Sequence, residues 1–361
     1  MSDANELISF IASMSGEGNL RVEENLGEGY VRLRVSEAER RQAKHDIQHV
    51  EDIVIEMLRN ARDAGADKVY LATTKEDGVR TLVFLDNGSG VPQDMQERIF
   101  DARVTSKLES MKMDRWGVHG RGMALFSIKQ NTDEARVVTS GVDLGSAFKV
   151  SVAADHLSER ADQSSWPQAV KDEDGHYVCA RGPHNIIRAA CEFALDELRA
   201  CDVYLGSPSE IAATLHAQAS SRLDASRLLF IDDEAELPVV DRLGLASDAE
   251  DFIRICSGLG LEMSERTAHR ILAGQIKPVR GVTARLLRER DSSSHAPAPV
   301  DLAKDRRGLR IAKDDMAQFS RAVERDFNDL ATRYYLNLCG DPKIRVSRDR
   351  ITVTFDLAKE E

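Results

Sequence analysis

Three groups of residues combine side-chain types and spacings that can do chemistry. In Glu56-Met-Leu-Arg-Asn60-Ala-Arg-Asp63, steps of four and three put Glu56, Asn60 and Asp63 on one face of a helix. A carboxylate there can act as a general base on water. An amide oxygen suits Mg²⁺, which takes oxygen ligands and keeps several of its waters. The same face also reads as the solvated side of an amphipathic helix. The second group, Asp86-Asn87-Gly88-Ser89-Gly90-Val91-Pro92, directly follows an apolar run. A carboxylate at a strand end can accept a hydrogen bond from an exocyclic amine, and glycines let backbone approach a flat ring. An ordinary Asp-Asn-Gly turn has the same composition. The third, Gly117-Val118-His119-Gly120-Arg121-Gly122, is a glycine-rich loop leading into a helical pattern, where backbone N–H groups can hold phosphate. It matches neither a Walker A loop nor a Rossmann fingerprint.

Such residues need elements to position them, and the flanking pattern predicts these. Ser36 to Ala64 reads as one long amphipathic helix, with Ser36 as N-cap and Glu39 three residues on. Its apolar stripe is Val50, Ile53, Val54, Met57, Leu58 and Ala61, and Gly65 ends it. Strands over 68–73 and 80–85, joined by a Lys75–Gly78 turn, deliver Asp86 at a strand end. A short helix over 93–100 follows. Residues 101–121 are polar and without a period, a helix starts at Gly122, and strands are expected over 136–140 and 147–153. Upstream, 20–35 reads as a hairpin.

In this order, the three groups resemble the GHKL ATPase superfamily, which includes DNA gyrase ATPase subunits, heat-shock chaperone ATPases, histidine kinases and MutL. Glu56, Asn60, Asp63 and Ala64 match its Glu-x-x-x-Asn-x-x-Asp-Ala box. Asp86, Gly88 and Gly90 match Asp-x-Gly-x-Gly, and Gly117, Gly120 and Gly122 match its glycine lid. Gly145-Ser146 is similar to the family's Gly-Thr before a strand, with Ser in place of Thr. Thr105-Ser106-Lys107 looks like the segment before the lid in the MutL branch. The resemblance covers roughly residues 45–153. It implies a Bergerat-type fold, α+β, with a two-layer α/β sandwich. It also implies an ATP site with Mg²⁺. Glu56 would activate water and Asn60 would coordinate the metal. Asp86 would accept from the adenine amine. Asp63 would hold the helix against the adenine loop. Gly117 to Gly122, with His119 and Arg121, would close over the phosphates, and Lys107 would reach one of them. A surface lysine is the other reading of Lys107. The implied activity is ATP hydrolysis, with lid closure coupled to self-association or to a protein or DNA partner. An ATP-dependent switch with little turnover and a protein kinase of the same superfamily are the alternatives. The Gln-x-Lys loop of a gyrase transducer and the Asn-Pro-Ala-Arg turn of MutL are missing from the second half.

Composition sets bounds on these readings. Of 361 residues, 42% are hydrophobic and 30% charged, as in an ordinary globular protein. The net charge of −12 argues against a chain that coats nucleic acid with its whole surface. Five scattered cysteines form neither a disulfide framework nor a zinc pattern. No signal peptide and no membrane-spanning run is read, so a cytoplasmic protein without membrane contact is expected. The expected domains are 1–153, the ATP-binding part, and 154–361, a mainly helical α+β region of unread role with a linker-like stretch at 291–299. Within the latter, 230–263 is acidic and 264–313 basic. Residues 264–272 and 282–287 read as a helix-turn-helix-like pair, for phosphate contacts or for pairing with the acidic segment. A helix over 314–338, suited to a homodimer or to a core, precedes a hairpin at 344–357.

Overall fold

The computed structural model describes residues 22–106, 112–119, 122–160, 162–223, 231, 233–287, 313–333, 336–346 and 351–359. They fall into two compact units, 1–288 and 289–361. The first begins with a hairpin of β1 (Val22–Gly27) and β2 (Tyr30–Leu33). Then come α1 (Glu37–Asp46) and α2 (Val50–Asp63), where the sequence predicts one continuous helix. The Ser36–Glu39 capping box is present. The chain breaks at 47–49 because Ile47 and His49 are extended and Asp52 reaches back. Its carboxylate accepts from the N–H groups of Gln48 and His49 at 2.9 and 2.8 Å, starting a new helix there.

After Gly65 come β3 (Lys68–Glu76) and β4 (Val79–Asp86), then a two-residue strand β5 (Val104–Thr105) and a small hairpin of β6 (Lys112–Asp114) and β7 (Gly117–His119). Helix α3 (Ala124–Gln130) leads into β8 (Glu134–Gly141) and β9 (Gly145–Ala153). Beyond these lie β10 (Gln168–Lys171), β11 (Tyr177–Arg181), α4 (Ile186–Asp196), β12 (Asp202–Gly206), α5 (Pro208–Arg222), α6 (Ala249–Gly258) and α7 (Glu265–Leu272). The central sheet has the order β12-β3-β4-β9-β8. Only its β12–β3 pair is parallel, with Val203 opposite Val69 and Leu205 opposite Leu71.

The sheet buries both faces. Val69, Leu71, Leu82, Phe84, Phe148 and Val150 share a core with α2 and α4. Tyr70, Ala72, Val83, Leu85 and Ala147 share a second core with α5, the 3-10 segment Val239–Leu245 and α6. Strands buried on both sides read as near-continuous apolar runs, which is why β3 and β4 stand out in the sequence. The architecture is α+β, a mixed sheet with helices. Two layers describe it as far as the β10–β11 hairpin, and α5 to α7 add a third. The boundary expected at 153 therefore falls inside this unit, since β12 extends the sheet and α4 packs on α2. Helix α7 packs against α6, the helix before it.

In the second unit α8 (Lys313–Arg333) is shorter than the sequence predicts. Residues Leu336–Leu338 form β13 instead, because they pair with β16 (Leu357–Lys359). Between them lies the expected hairpin, β14 (Lys343–Val346) with β15 (Ile351–Thr354). The Phe327 and Phe355 rings stack at 4.1 Å between centroids. The stretch 291–299 lies outside the described residues. No helix among the described residues is long and apolar enough to cross a membrane.

Candidate functional site

A cavity of about 490 Å³ in the first unit is lined by Glu56, Asn60 and Asp63 of α2, by Asp86, Gly90 and Ser146, and by Gly122 ahead of α3. Seven of the residues singled out by sequence thus share one space. Asp86 ends β4 and lies directly across from Ser146 in the β4–β9 register. It is 4% exposed, and its Oδ1 accepts from the Gly88 N–H at 2.8 Å. Gly88 shapes this end because backbone passes so close. A Cβ on it would lie 2.8 Å from the Ala64 carbonyl oxygen. At Gly90, with φ +71°, a Cβ would meet the Gly141 carbonyl oxygen at 1.8 Å, so only glycine fits. The Ser140 hydroxyl accepts from the Val91 N–H at 2.8 Å and donates to the Gly145 carbonyl at 2.9 Å. It lies 3.0 Å from the Ser146 hydroxyl.

The other end is held by charge. Arg59 Nη1 donates to Glu56 Oε1 at 2.6 Å, and its Nε and Nη2 make two 3.0 Å bonds to Asp114 in the β6–β7 hairpin. Arg62 donates to Asp63 at 2.9 Å, to Asp114 at 3.0 Å and to Glu197 at 3.2 Å. Both guanidinium groups are buried, which strengthens such pairs and raises the cost of breaking them. Burial works to raise the Asp114 pKa, but the hydrogen bond from Arg62 and the charge of Arg59 outweigh it and hold the carboxyl below its ordinary range. Next in the hairpin, Arg115 pairs with Glu192 and Asp196 at 3.0 and 3.1 Å, and the Trp116 ring stacks on Phe193. The hairpin is therefore anchored on both α2 and α4.

Arg59, Arg62 and Asp114 are residues the sequence reading passed over. The available signal was two arginines three apart, interleaved with Glu56, Asn60 and Asp63. Gly117 and His119 form β7, with Gly117 opposite Asp114 and His119 opposite Lys112. Lys107, Gly120 and Arg121 lie outside the described residues.

Residues 47–168 match the family described as histidine kinase-, DNA gyrase B-, and HSP90-like ATPase. That segment is thus similar to a GHKL ATPase domain, and the matching motifs, mixed sheet and cavity lie in it or pack against it. Curated proteins similar to this segment include DNA mismatch repair proteins MutL. The protein from Brucella anthropi is 34% identical over 112 residues, covering 31% of this chain and 17% of the relative. That from Thermodesulfovibrio yellowstonii is 31% identical over 107 residues, covering 29% and 19%. The aligned stretch spans under a fifth of either relative's length. The family match ends before α4, Glu197 and β12, although these elements hold the hairpin and complete the sheet.

Proposed function

We propose that this chain binds ATP with Mg²⁺ in the cavity described and hydrolyses it. One observation carries the reading: a single cavity has a buried carboxylate hydrogen-bonded at a strand end and, elsewhere on its wall, a carboxylate and an amide one helical turn apart. Asp86 accepts from the adenine amine, with Gly88 and Gly90 giving the ring access. Ser146 supports Asp86 from the facing strand. Glu56 takes the proton of the attacking water. Asn60 supplies an oxygen to the metal, and Asp63 holds α2 through Arg62. The donor set fits a hard cation, since Glu56 and Asn60 offer oxygen and the described lining residues include no sulfur or imidazole ligand apart from methionine. When bound, Mg²⁺ neutralises phosphate charge. The volume lies within the range of ordinary ligand pockets. Gly117, His119, Gly120, Arg121, Gly122 and Lys107 are assigned to the phosphates by resemblance to the family's lid.

The test is ATP binding and turnover by the wild type and Glu56→Ala side by side. Unimpaired binding with turnover lost supports Glu56 as the base, and unchanged turnover removes it from that role. A second reading, a nucleotide switch with little turnover, is favoured by the 2.6 Å bond that already engages Glu56 with Arg59. It is the correct one if the wild type binds ATP without hydrolysis above background. Label retained on protein from γ-phosphate-labelled ATP would instead mark a kinase. ATP-dependent association with itself or with DNA, the latter suggested by relatives named for mismatch repair, is tested by sizing and by a salt-dependent DNA shift. A shift lost on replacing Arg280 and Arg285 would place DNA on the basic segment.

A further inference from the structure

Arg103 belongs to no motif, yet the fold spends strain on it. Its φ is +63°, a left-handed conformation that non-glycine residues seldom adopt. Two backbone bonds impose it. The Arg103 N–H donates to the Gly122 carbonyl at 2.8 Å, and the Arg103 carbonyl accepts from the Leu33 N–H at 2.9 Å. This turns the side chain to the cavity wall, where the residue is only 7% exposed. Nη2 donates to Glu39 on α1. Nε and Nη1 are buried and have no partner among the described residues. The Ser127 hydroxyl of α3, 1% exposed and lining the same cavity, has none either.

A guanidinium cannot give up its proton to escape burial. Two buried donors without acceptors cost far more than two satisfied ones, so their persistence calls for an acceptor that arrives from the cavity. The acceptor must carry several oxygens and negative charge, which describes a polyphosphate, whose oxygens can meet separately the two edges on which Nε and Nη1 lie. We propose that Arg103 is a phosphate-binding residue of this site, with its unpaired Nε and Nη1 donating to separate phosphate oxygens. Glu39 is the resident counter-charge that shares the guanidinium and lowers its availability to the incoming anion. Because the backbone N–H of Arg103 is bonded to Gly122, the phosphate contact and the end of the glycine loop are fixed together. This inference rests on the proposed nucleotide site and names a residue outside the family's motifs.

The experiment titrates the full chain with ATP, adenosine and inorganic tripolyphosphate, comparing wild type with Arg103→Gln and Glu39→Gln. Arg103→Gln is expected to weaken ATP about tenfold or more and to abolish tripolyphosphate binding, with adenosine unchanged. Glu39→Gln keeps a side-chain acceptor for the α1 capping box and should tighten ATP several-fold. If Arg103→Gln does not fold, Arg103→Lys, which keeps the charge and loses the separate guanidinium donors, should show the weaker ATP binding with adenosine intact. The proposal is overturned if the Arg103 variant binds ATP as the wild type does, or loses ATP and adenosine equally. Unchanged or weaker ATP binding by Glu39→Gln also overturns it. Wild-type protein that binds tripolyphosphate through Arg103 but not adenosine would leave Arg103 in place and remove the nucleotide reading. Adenosine and ATP bound equally well, with no tripolyphosphate binding, would do the reverse.

Discussion

The two ends of the cavity are built on different principles. Around Asp86 the geometry comes from strand register and from glycines that allow backbone contact. Around Glu56 it comes from side chains that reach across the fold, with Arg59 and Arg62 gathering Glu56, Asp63, Asp114 and Glu197 into one network. The first end is as rigid as the sheet. The second depends on ion pairs between α2, the β6–β7 hairpin and the end of α4, so changes in any of these three reach the carboxylate assigned to water activation.

The comparison is broken most forcefully at Gly90. Gly90→Ala should cost about 4 kcal/mol, from a strained backbone and an unrelieved clash with Gly141, read as a fall in thermal midpoint. A loss below about 1 kcal/mol would mean that the loop yields and the rigid end is misdescribed. Next, Asp86→Asn should weaken ATP binding roughly a hundredfold with little change in folding, since Asn can still accept from Gly88 while presenting a donor option to the ligand. Undiminished binding would sink the assignment of this end. Asp114→Ala should cost about 2 kcal/mol in urea unfolding at neutral pH, less than a fully orphaned buried charge, because Arg59 keeps Glu56 and Arg62 keeps Asp63 and Glu197. The sign of its pH dependence is fixed. A carboxyl held below its unfolded pKa stabilises the fold above about pH 4 and loses that contribution as pH falls through the folded value. The gap between wild type and Asp114→Ala should therefore close on acidification, and a gap that widens would refute the pairing. Smallest is Ser146→Ala, about 1 kcal/mol for the lost hydroxyl contact with Ser140. Combining Asp86→Asn with Asp114→Ala sharpens the contrast. If the ends are independent, their stability effects add within about 0.5 kcal/mol, and a larger coupling would join them.

What could be read from the sequence follows the same division. Glu56, Asn60 and Asp63 are legible because helical spacing alone puts them on one face, and Asp86 because an apolar run stops there. The Asp114 partners of Arg59 and Arg62 are more than fifty residues away in the chain, and Glu197 is farther still, so no local pattern announces them. The break between α1 and α2 escapes notice because apolar residues continue through Ile47 and Val50. Its one local mark is Asp52 reaching back past a histidine, a residue outside the usual set of N-caps. Residues 336–338 looked like the end of a helix because their strand partner comes twenty residues later. The local pattern does read as helix over 185–200, strand over 202–205 and helix over 208–219, but not that β12 joins β3, since a parallel partner after a long crossover has no turn signal to reveal it.

That last strand has a consequence for how the protein is made. β3 is finished at Glu76, but its parallel neighbour ends at Gly206, about 130 residues later. At ribosomal speeds the interval is on the order of 10 s. Throughout it, the nascent chain carries an open apolar strand edge that another chain could join. A fragment cut at 168, where the recognisable domain ends, would carry that edge permanently. The stretch that looks dispensable by similarity is the one that covers this edge of β3.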